Sequence, residues 1–250
     1  MIKETHYTKG LCYINMKTYE HAIESLKSAL KLSKNENIYL QLGKIHALKE
    51  DFKSAIEVYK EALKYSIESQ EIMTILGLIY LKLGETNQAF QFIGNALAID
   101  SKNPKAILAV GSIMQDRFDY DAALLKYKLI AGNHTNSAQL WNNIGMCFYG
   151  KKKFIAAVTC LKRALYLDPF EWLISYNLGL VHLSIQQYAS AFHFFSVAIN
   201  LKPNFANNYM YLGISLNKLE DFENSCSAFE RALEVDKYTI FLIFLISSVF

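Results

Sequence analysis

The stretch AQLWNNIGMCFYGKKKFIAAVTCLKRALYLDPFE at residues 138–171 contains the pattern that decides the fold of this 250-residue chain. It has a glycine at Gly145, an aromatic residue at Phe154 and small residues at Ala157 and Ala164. The glycine recurs every 34 residues, except that the first interval is 33, at Gly10, Gly43, Gly77, Gly111, Gly145, Gly179 and Gly213. Seven of the eleven glycines thus occupy one position of an internal repeat.

Three other rows follow the same period. A small residue comes twelve positions after each glycine, at Ala22, Ala55, Ala89, Ala123, Ala157, Ala191 and Ser225. An aromatic residue comes nine positions after most of the glycines, and a large residue comes sixteen positions after every one. A 34-residue period is typical of tetratricopeptide repeats, which are stacked helix–turn–helix units. The sequence therefore predicts an all-α, right-handed superhelical solenoid of about seven antiparallel helix pairs.

The glycine row and the small row are interpreted as packing positions. Glycine inside a helix costs about 1 kcal/mol relative to alanine, so its recurrence indicates a place where a side chain would collide with a neighbouring helix. We expect the glycine and the small residue to let the two helices of a hairpin approach closely. We expect the aromatic row and the large row to fill the space between one hairpin and the next.

The period also sets the predicted boundaries. A single array covers residues 1–239, with repeats at 3–35, 36–69, 70–103, 104–137, 138–171, 172–205 and 206–239. Residues 240–250 carry no charge and are expected to form a partial first helix of an eighth repeat. They are too few to span a membrane, which takes about 20 apolar residues.

Composition and motifs exclude several functional classes. The net charge is only +3, and the one basic run, Lys151 to Lys153, falls in a predicted turn, so nucleic-acid binding is not expected. The four cysteines show no metal-ligand spacing, and the phosphate-loop and dinucleotide motifs are absent. No catalytic, cofactor-binding or metal-ligating residue is predicted. The first residues lack the apolar core of a signal peptide, which favours a cytoplasmic protein.

The remaining candidates for function lie on the first helices, which line the concave face in this architecture. Spacing from the glycine predicts an apolar and aromatic groove with amides in the fifth and sixth repeats. The candidate partner-binding residues are Asn142, Asn143, Met146, Tyr149, Tyr176, Asn177, Leu180 and Tyr211. An asparagine side chain both donates and accepts, so Asn143 and Asn177 are suited to pair with the backbone of an extended peptide. The alternative is that these amides satisfy helix termini or water.

Four stretches go beyond the generic repeat pattern, because they include surface residues that the fold does not dictate. They are residues 140–154, 160–164, 176–183 and 186–194. In these stretches the chain resembles the tetratricopeptide-repeat subunits of the BBSome. The similarity extends from about Ala29 to about Asp236, with shortening expected at both ends.

The resemblance implies a non-enzymatic scaffold or adaptor in the trafficking of membrane proteins to cilia. It implies protein subunits of a ciliary trafficking complex as partners, pericentriolar proteins as further ones, and membrane contact only through the complex. It also implies a location at the cilium base and ciliary membrane, the centrosome and centriolar satellites. Two alternatives remain open, which are a free-standing receptor for extended peptides and the repeat portion of a larger protein such as a protein glycosyltransferase.

Overall fold

The computed structural model describes residues 2–236, with side chains from residue 4 onward, and in that range it contains fourteen α-helices and no strand. The first helices of the pairs are α1 (Ile2–Asn15), α3 (Glu36–Leu48), α5 (Gln70–Lys82), α7 (Pro104–Asp116), α9 (Ala138–Gly150), α11 (Trp172–Ser184) and α13 (Ala206–Lys218). The second helices are α2 (Tyr19–Leu32), α4 (Phe52–Leu63), α6 (Thr86–Ile99), α8 (Tyr120–Ala131), α10 (Phe154–Leu167), α12 (Tyr188–Leu201) and α14 (Phe222–Val235). The predicted partial helix at 240–250 and the end of the seventh repeat lie outside the described residues.

The prediction of an all-α fold made of helix pairs is confirmed. Every second helix begins nine residues after a repeat glycine, at the aromatic row or, in α6, at Thr86. From α3 onward, each first helix begins 34 residues after the one before it. The sequence period is therefore the period of the helices themselves.

The chain divides into two compact units between Ile113 and Met114, inside α7, and we call them the N-terminal unit and the C-terminal unit. In the N-terminal unit α1 packs against α2, α3 against α4 and α5 against α6. In the C-terminal unit the corresponding pairs are α9 with α10, α11 with α12 and α13 with α14. In each unit, second helices also pack against the first helix that follows, as α4 does on α5 and α12 on α13. The interpretation as one continuous array stays a prediction.

The repeat glycines make room within a hairpin, as the sequence predicts. A methyl group at Gly145 would lie 2.8 Å from Leu161 Cγ and 3.3 Å from the Ala157 carbonyl oxygen. Ser225, which replaces alanine in the small row, donates a hydrogen bond of 2.9 Å to the Gly213 carbonyl. The alanines of the small row are completely buried at Ala22, Ala55, Ala89, Ala123, Ala157 and Ala191. Gly111, in α7, is buried as well.

The prediction for the large row requires a correction. It was expected between hairpins, yet a side chain placed at six of the repeat glycines would meet the large residue of its own hairpin. The pairs are Gly10 with Leu26, Gly43 with Tyr59, Gly77 with Ile93, Gly145 with Leu161, Gly179 with Phe195 and Gly213 with Phe229. The chain reverses direction within these sixteen residues, so the large side chain of the second helix lies directly over the glycine of the first. The aromatic row does reach the next hairpin, since Tyr120 of α8 packs against Gly150 of α9.

The turn inside each hairpin contains a residue with left-handed backbone conformation, seven positions after the repeat glycine. These residues are Lys17, Glu50, Gly84, Phe118, Lys152, Gln186 and Glu220, with φ between 57° and 77°. In the fifth repeat, the backbone N–H of Lys152 donates to Tyr149 and that of Lys153 donates to Phe148, which is the bond pattern of a Schellman helix end. Because only one of the seven positions is glycine, residue type at this row does not indicate the conformation.

Candidate functional site

The first helices of the C-terminal unit lie next to one another and form one surface, which we call the first-helix face (α9, α11 and α13). Helix α11 contacts both α9 and α13. The hydroxyl groups of Tyr149 and Ser184 lie 3.0 Å apart and connect α9 with α11. The ring centroids of Tyr176 and Tyr211 lie 5.8 Å apart and connect α11 with α13. All eight predicted partner-binding residues are on these three helices.

The asparagines of this face form a hydrogen-bonded series that crosses from one repeat to the next. Asn177 Nδ2 donates to Asn142 Oδ1 at 2.8 Å, and Asn142 Nδ2 donates to Asn143 Oδ1 at 3.3 Å. The Asn143 backbone carbonyl in turn accepts a hydrogen bond of 3.0 Å from Gln115 Nε2. The bond between Asn177 and Asn142 joins α11 to α9 near the middle of each helix, and the bond from Gln115 joins the end of α7 to α9.

Two of the asparagines predicted to bind a partner on the concave face are buried, so they are not accessible to a partner as that prediction requires. Asn142 is 7% exposed and Asn177 is 5% exposed, whereas Asn143 is half-buried. The reason is that neighbouring first helices approach closely enough for the two amides to satisfy each other, which a buried amide requires. Each of the two amides therefore bonds to a residue of the adjacent repeat. The spacing of 35 residues between them is the sequence signal of this contact.

Aromatic rings form a cluster at the part of the face where α11 meets α13. Tyr211 stacks on the buried Phe195 with centroids 5.6 Å apart, and Tyr176 packs edge-on against Phe195 at 5.9 Å. Trp172 and Phe205, which the sequence analysis did not select, complete the cluster, with their centroids 4.7 Å apart. Phe205 directly follows residues 202–204, which connect α12 to α13. An aromatic residue next to this connection is the sequence feature that could have identified it as part of the cluster.

The other predicted residues of the face are half-buried. Met146 and Tyr149 pack beside the buried core residues of α10 and α11. Leu180 is half-buried, and its carbonyl oxygen accepts a hydrogen bond of 2.9 Å from Ser184 Oγ. The face thus presents partly exposed apolar and aromatic groups around internally bonded amides.

Burial raises the pKa of the phenols and of the thiol in this region. Desolvation, followed by interactions with neighbouring tyrosines, raises the pKa of Tyr176, and desolvation likewise raises the pKa of Tyr211. Burial raises the pKa of the Cys147 thiol to about 12. At neutral pH the tyrosine hydroxyls therefore remain hydrogen-bond donors, and Cys147 is a poor nucleophile.

The described residues show neither of two other kinds of feature, a metal site and a membrane-spanning helix. Residues 2–236 contain no group of three or more His, Cys, Asp or Glu side chains arranged to hold a metal ion. In the same range, no helix combines the length and the apolar character needed to cross a membrane.

Comparison with known proteins supports the repeat assignment. Models described as tetratricopeptide repeat match residues 4–36, 36–66, 70–103, 138–170 and 206–239. A solved tetratricopeptide repeat protein from Parabacteroides merdae superimposes with a TM-score of 0.78 at 17% identity, covering 96% of each chain. At that identity, the match shows the fold alone.

Sequence relatives are more specific. The chain is homologous to the proteins named BBSome complex member BBS4. It is 52% identical to that of Bos taurus and 53% identical to that of Mus musculus, in both cases over 94% of this chain and 45% of the relative. The chain therefore spans about half the length of these curated relatives. With family models over more than half of its residues and a fold of paired helices, the chain belongs to the tetratricopeptide-repeat family.

Proposed function

We propose that this chain is a non-enzymatic scaffold that acts as a subunit, or part of one, of a BBSome-type complex. The observation that carries the proposal is 52% identity to BBSome complex member BBS4 over 94% of the chain. Identity at this level extends beyond the rows that the repeat architecture requires.

We further propose that the first-helix face binds a protein partner. Met146, Tyr149, Tyr176, Leu180 and Tyr211 offer partly exposed apolar surface on adjacent helices, which is the composition of the central part of a protein interface. Asn143 supplies a half-buried amide at its edge. Asn142 and Asn177 act in this proposal by holding α9 and α11 in position.

The proposed cellular role is the one that the resemblance to BBSome subunits implies. In this proposal the complex moves membrane proteins into and out of cilia, and the subunit works in the cytoplasm at the cilium base, at the ciliary membrane, and with pericentriolar material and centriolar satellites. Its contact with membranes is indirect, through the other subunits.

Co-purification from ciliated cells that lack their own BBS4 tests the assembly. Because the chain matches 45% of the relative, the informative protein is a chimera in which this chain replaces the matching segment of the full-length mouse protein. We expect the tagged chimera to recover other BBSome subunits, as the tagged mouse protein does. Recovery by the mouse protein but not by the chimera contradicts the proposal.

The role of the face is tested in the same chimera. Met146→Gln together with Leu180→Gln places two amides on the proposed contact surface, and we expect recovery of at least one subunit to fall. Leu125→Gln with Leu129→Gln is the matched control, since both leucines are more than half exposed on α8. Equal recovery by the two double variants argues against a partner at this face.

A further inference from the structure

A second surface of the C-terminal unit carries an open cleft of about 1020 Å³, between α10 and the end of α11 together with the turn that follows it. Its apolar part is formed by Ile155, Val158 and Ile185. Ile155 is 88% exposed, so its apolar side chain is available to a partner. One residue of α11, His182, lines the cleft, but none of the eight predicted partner-binding residues does, so the cleft is a different surface from the one proposed above.

Three lysines border the apolar part of the cleft: Lys152, Lys153 and Lys162. Among residues 2–236, none of the three forms an ion pair, whereas the adjacent Lys151 is paired with Asp121. No carboxylate is found among the described residues that line the cleft. The positive charge at the rim is therefore uncompensated within the described part of the chain.

The beginning of α10 adds to this positive potential. Phe154, Ile155 and Ala156, its first residues, line the cleft, and its N-cap residue Lys153 provides no side-chain acceptor. In contrast, Asp119 caps α8 and Asp221 caps α14 through their carboxylates. Unpaired N–H groups at a helix start favour an acceptor with negative charge.

His182 lies between the cleft and a second depression beside α12. It is buried, stacks on Phe194 with centroids 5.2 Å apart, and its Nδ1 lies 2.7 Å from Gln187 Oε1. Its Nε2 has no hydrogen-bond partner among the described residues. His182 and Lys162 also line a second depression of about 430 Å³ beside His193, so the two depressions share a wall. An occupant that follows both is longer than a single side chain.

We propose that this cleft is a docking site for an acidic segment of a partner protein that also carries apolar side chains. The apolar side chains cover Ile155, Val158 and Ile185, and the carboxylates face the lysines and the start of α10. This match of charge and apolarity is the argument for the occupant. The proposal does not depend on membership of a BBSome-type complex.

Fluorescence anisotropy with a labelled synthetic peptide tests it on the full chain. The probe consists of glutamates with a leucine at every fourth position, and the control peptide has lysine in place of each glutamate. We expect saturable binding of the acidic probe that weakens with added salt, and no binding of the basic peptide. Absence of saturable binding by the acidic probe overturns the proposal.

Matched charge reversals locate the binding. We expect Lys152→Glu, Lys153→Glu and Lys162→Glu in combination to weaken binding of the probe roughly tenfold or more. The control, Lys102→Glu with Lys105→Glu and Lys128→Glu, changes the net charge equally at exposed positions outside the cleft, and we expect less than about a twofold effect there. Equal losses in the two triple variants show attraction by net charge alone and overturn the proposal.

A second pair of variants tests the apolar contact and the class of partner. We expect Ile155→Ser to weaken binding of the probe about threefold or more. We expect Leu125→Ser, at an exposed position on α8, to leave the binding affinity unchanged. Binding to phosphatidylserine vesicles that is lost in the cleft triple variant, without peptide binding, identifies an anionic membrane surface instead and overturns the partner-segment proposal.

Discussion

At the scale of single residues, the absence of a side chain at Gly77 decides how closely α5 and α6 approach. A methyl group there would overlap Ile93 Cγ1 and lie 3.3 Å from the Ala89 carbonyl oxygen. Ile93 is completely buried, so it has little room to move. Gly94, in the same helix pair, is exposed, and a methyl group added to it would have no atom within 4 Å. Both glycines therefore lie inside a helix, but only Gly77 lacks space for a side chain.

We predict opposite effects of alanine at these two positions. Gly77→Ala should lower the free energy of unfolding by about 1–2 kcal/mol, because the overpacking exceeds the gain in helix propensity. Gly94→Ala should raise it by about 0.5–1 kcal/mol through helix propensity alone. Urea denaturation followed by circular dichroism measures both. Stabilisation by Gly77→Ala would show that the hairpin tolerates a wider separation than the structure has.

Phe118 provides a second prediction for a single residue. Its φ of 61° is unfavourable for a residue with a Cβ, and the residue is 78% exposed. Phe118→Gly should therefore stabilise the C-terminal unit by about 0.5–1 kcal/mol, since relief of the strain exceeds the added entropy of the unfolded chain. Gly84→Ala, at the equivalent turn with φ of 77°, should destabilise the N-terminal unit by a similar amount. Thermal melting of both variants checks the pair, and a loss of stability in Phe118→Gly would mean that the ring contributes a contact that outweighs the strain.

At the scale of the helix, α13 differs from the other first helices at one buried position. Asn208 is completely buried, its Nδ2 donates a long hydrogen bond of 3.4 Å to the Lys202 carbonyl, and its Oδ1 accepts none from the described residues. The equivalent residues of other repeats are the buried Ile38, Ile72, Leu140 and Ile174. A buried polar atom without a partner costs about 1–3 kcal/mol.

We therefore predict that Asn208→Leu raises the free energy of unfolding by about 1 kcal/mol. The reverse change at an equivalent position, Ile174→Asn, should lower it by about 3 kcal/mol or more, because it removes apolar contact and buries an amide. Both are measured by urea denaturation. If Asn208→Leu lowers the free energy of unfolding, the contacts of the amide must stabilise the fold by more than its unpaired oxygen costs.

The positions of the helices are also what the sequence predicted best. The aromatic row marks the first residue of six second helices, because a repeated pattern of seven units averages out local ambiguity. The left-handed turn position was not predictable from composition, since Lys, Glu, Gln and Phe occupy it where glycine is usual. The burial of Asn142 and Asn177 was not predictable from either helix alone, because it arises from a contact between repeats.

At the scale of the whole molecule, several buried tyrosines and one buried cysteine make the stability depend on pH in the same direction. Burial raises the pKa of Tyr59 from 10.0 to about 12 and that of Cys147 from 9.0 to about 12, and it also raises the pKa of Tyr127 and Tyr176. In the folded protein these groups keep their protons to higher pH than in the unfolded chain. Between about pH 9 and pH 12 the unfolded state thus binds fewer protons, and stability falls as the pH rises.

We predict that the chain unfolds in alkali with coupled release of these protons. The absorbance of ionised tyrosine, followed together with circular dichroism, should show exposed tyrosines titrating first and the buried ones ionising as helicity is lost. The sixteen tyrosines make this signal large. Ionisation of all of them near pH 10 with helicity intact would contradict the raised pKa values.

The hydrogen bond between Asn177 and Asn142 has a mechanical consequence for the C-terminal unit. If α11 slid along α9, Asn177 Nδ2 and Asn142 Oδ1 would separate at once, and two buried polar atoms would lose the bond that joins them. Apolar packing alone imposes no such threshold, because methyl groups can exchange neighbours in small steps. The two hairpins should therefore resist a force applied along these helices until the hydrogen bond between Asn142 and Asn177 breaks in one step.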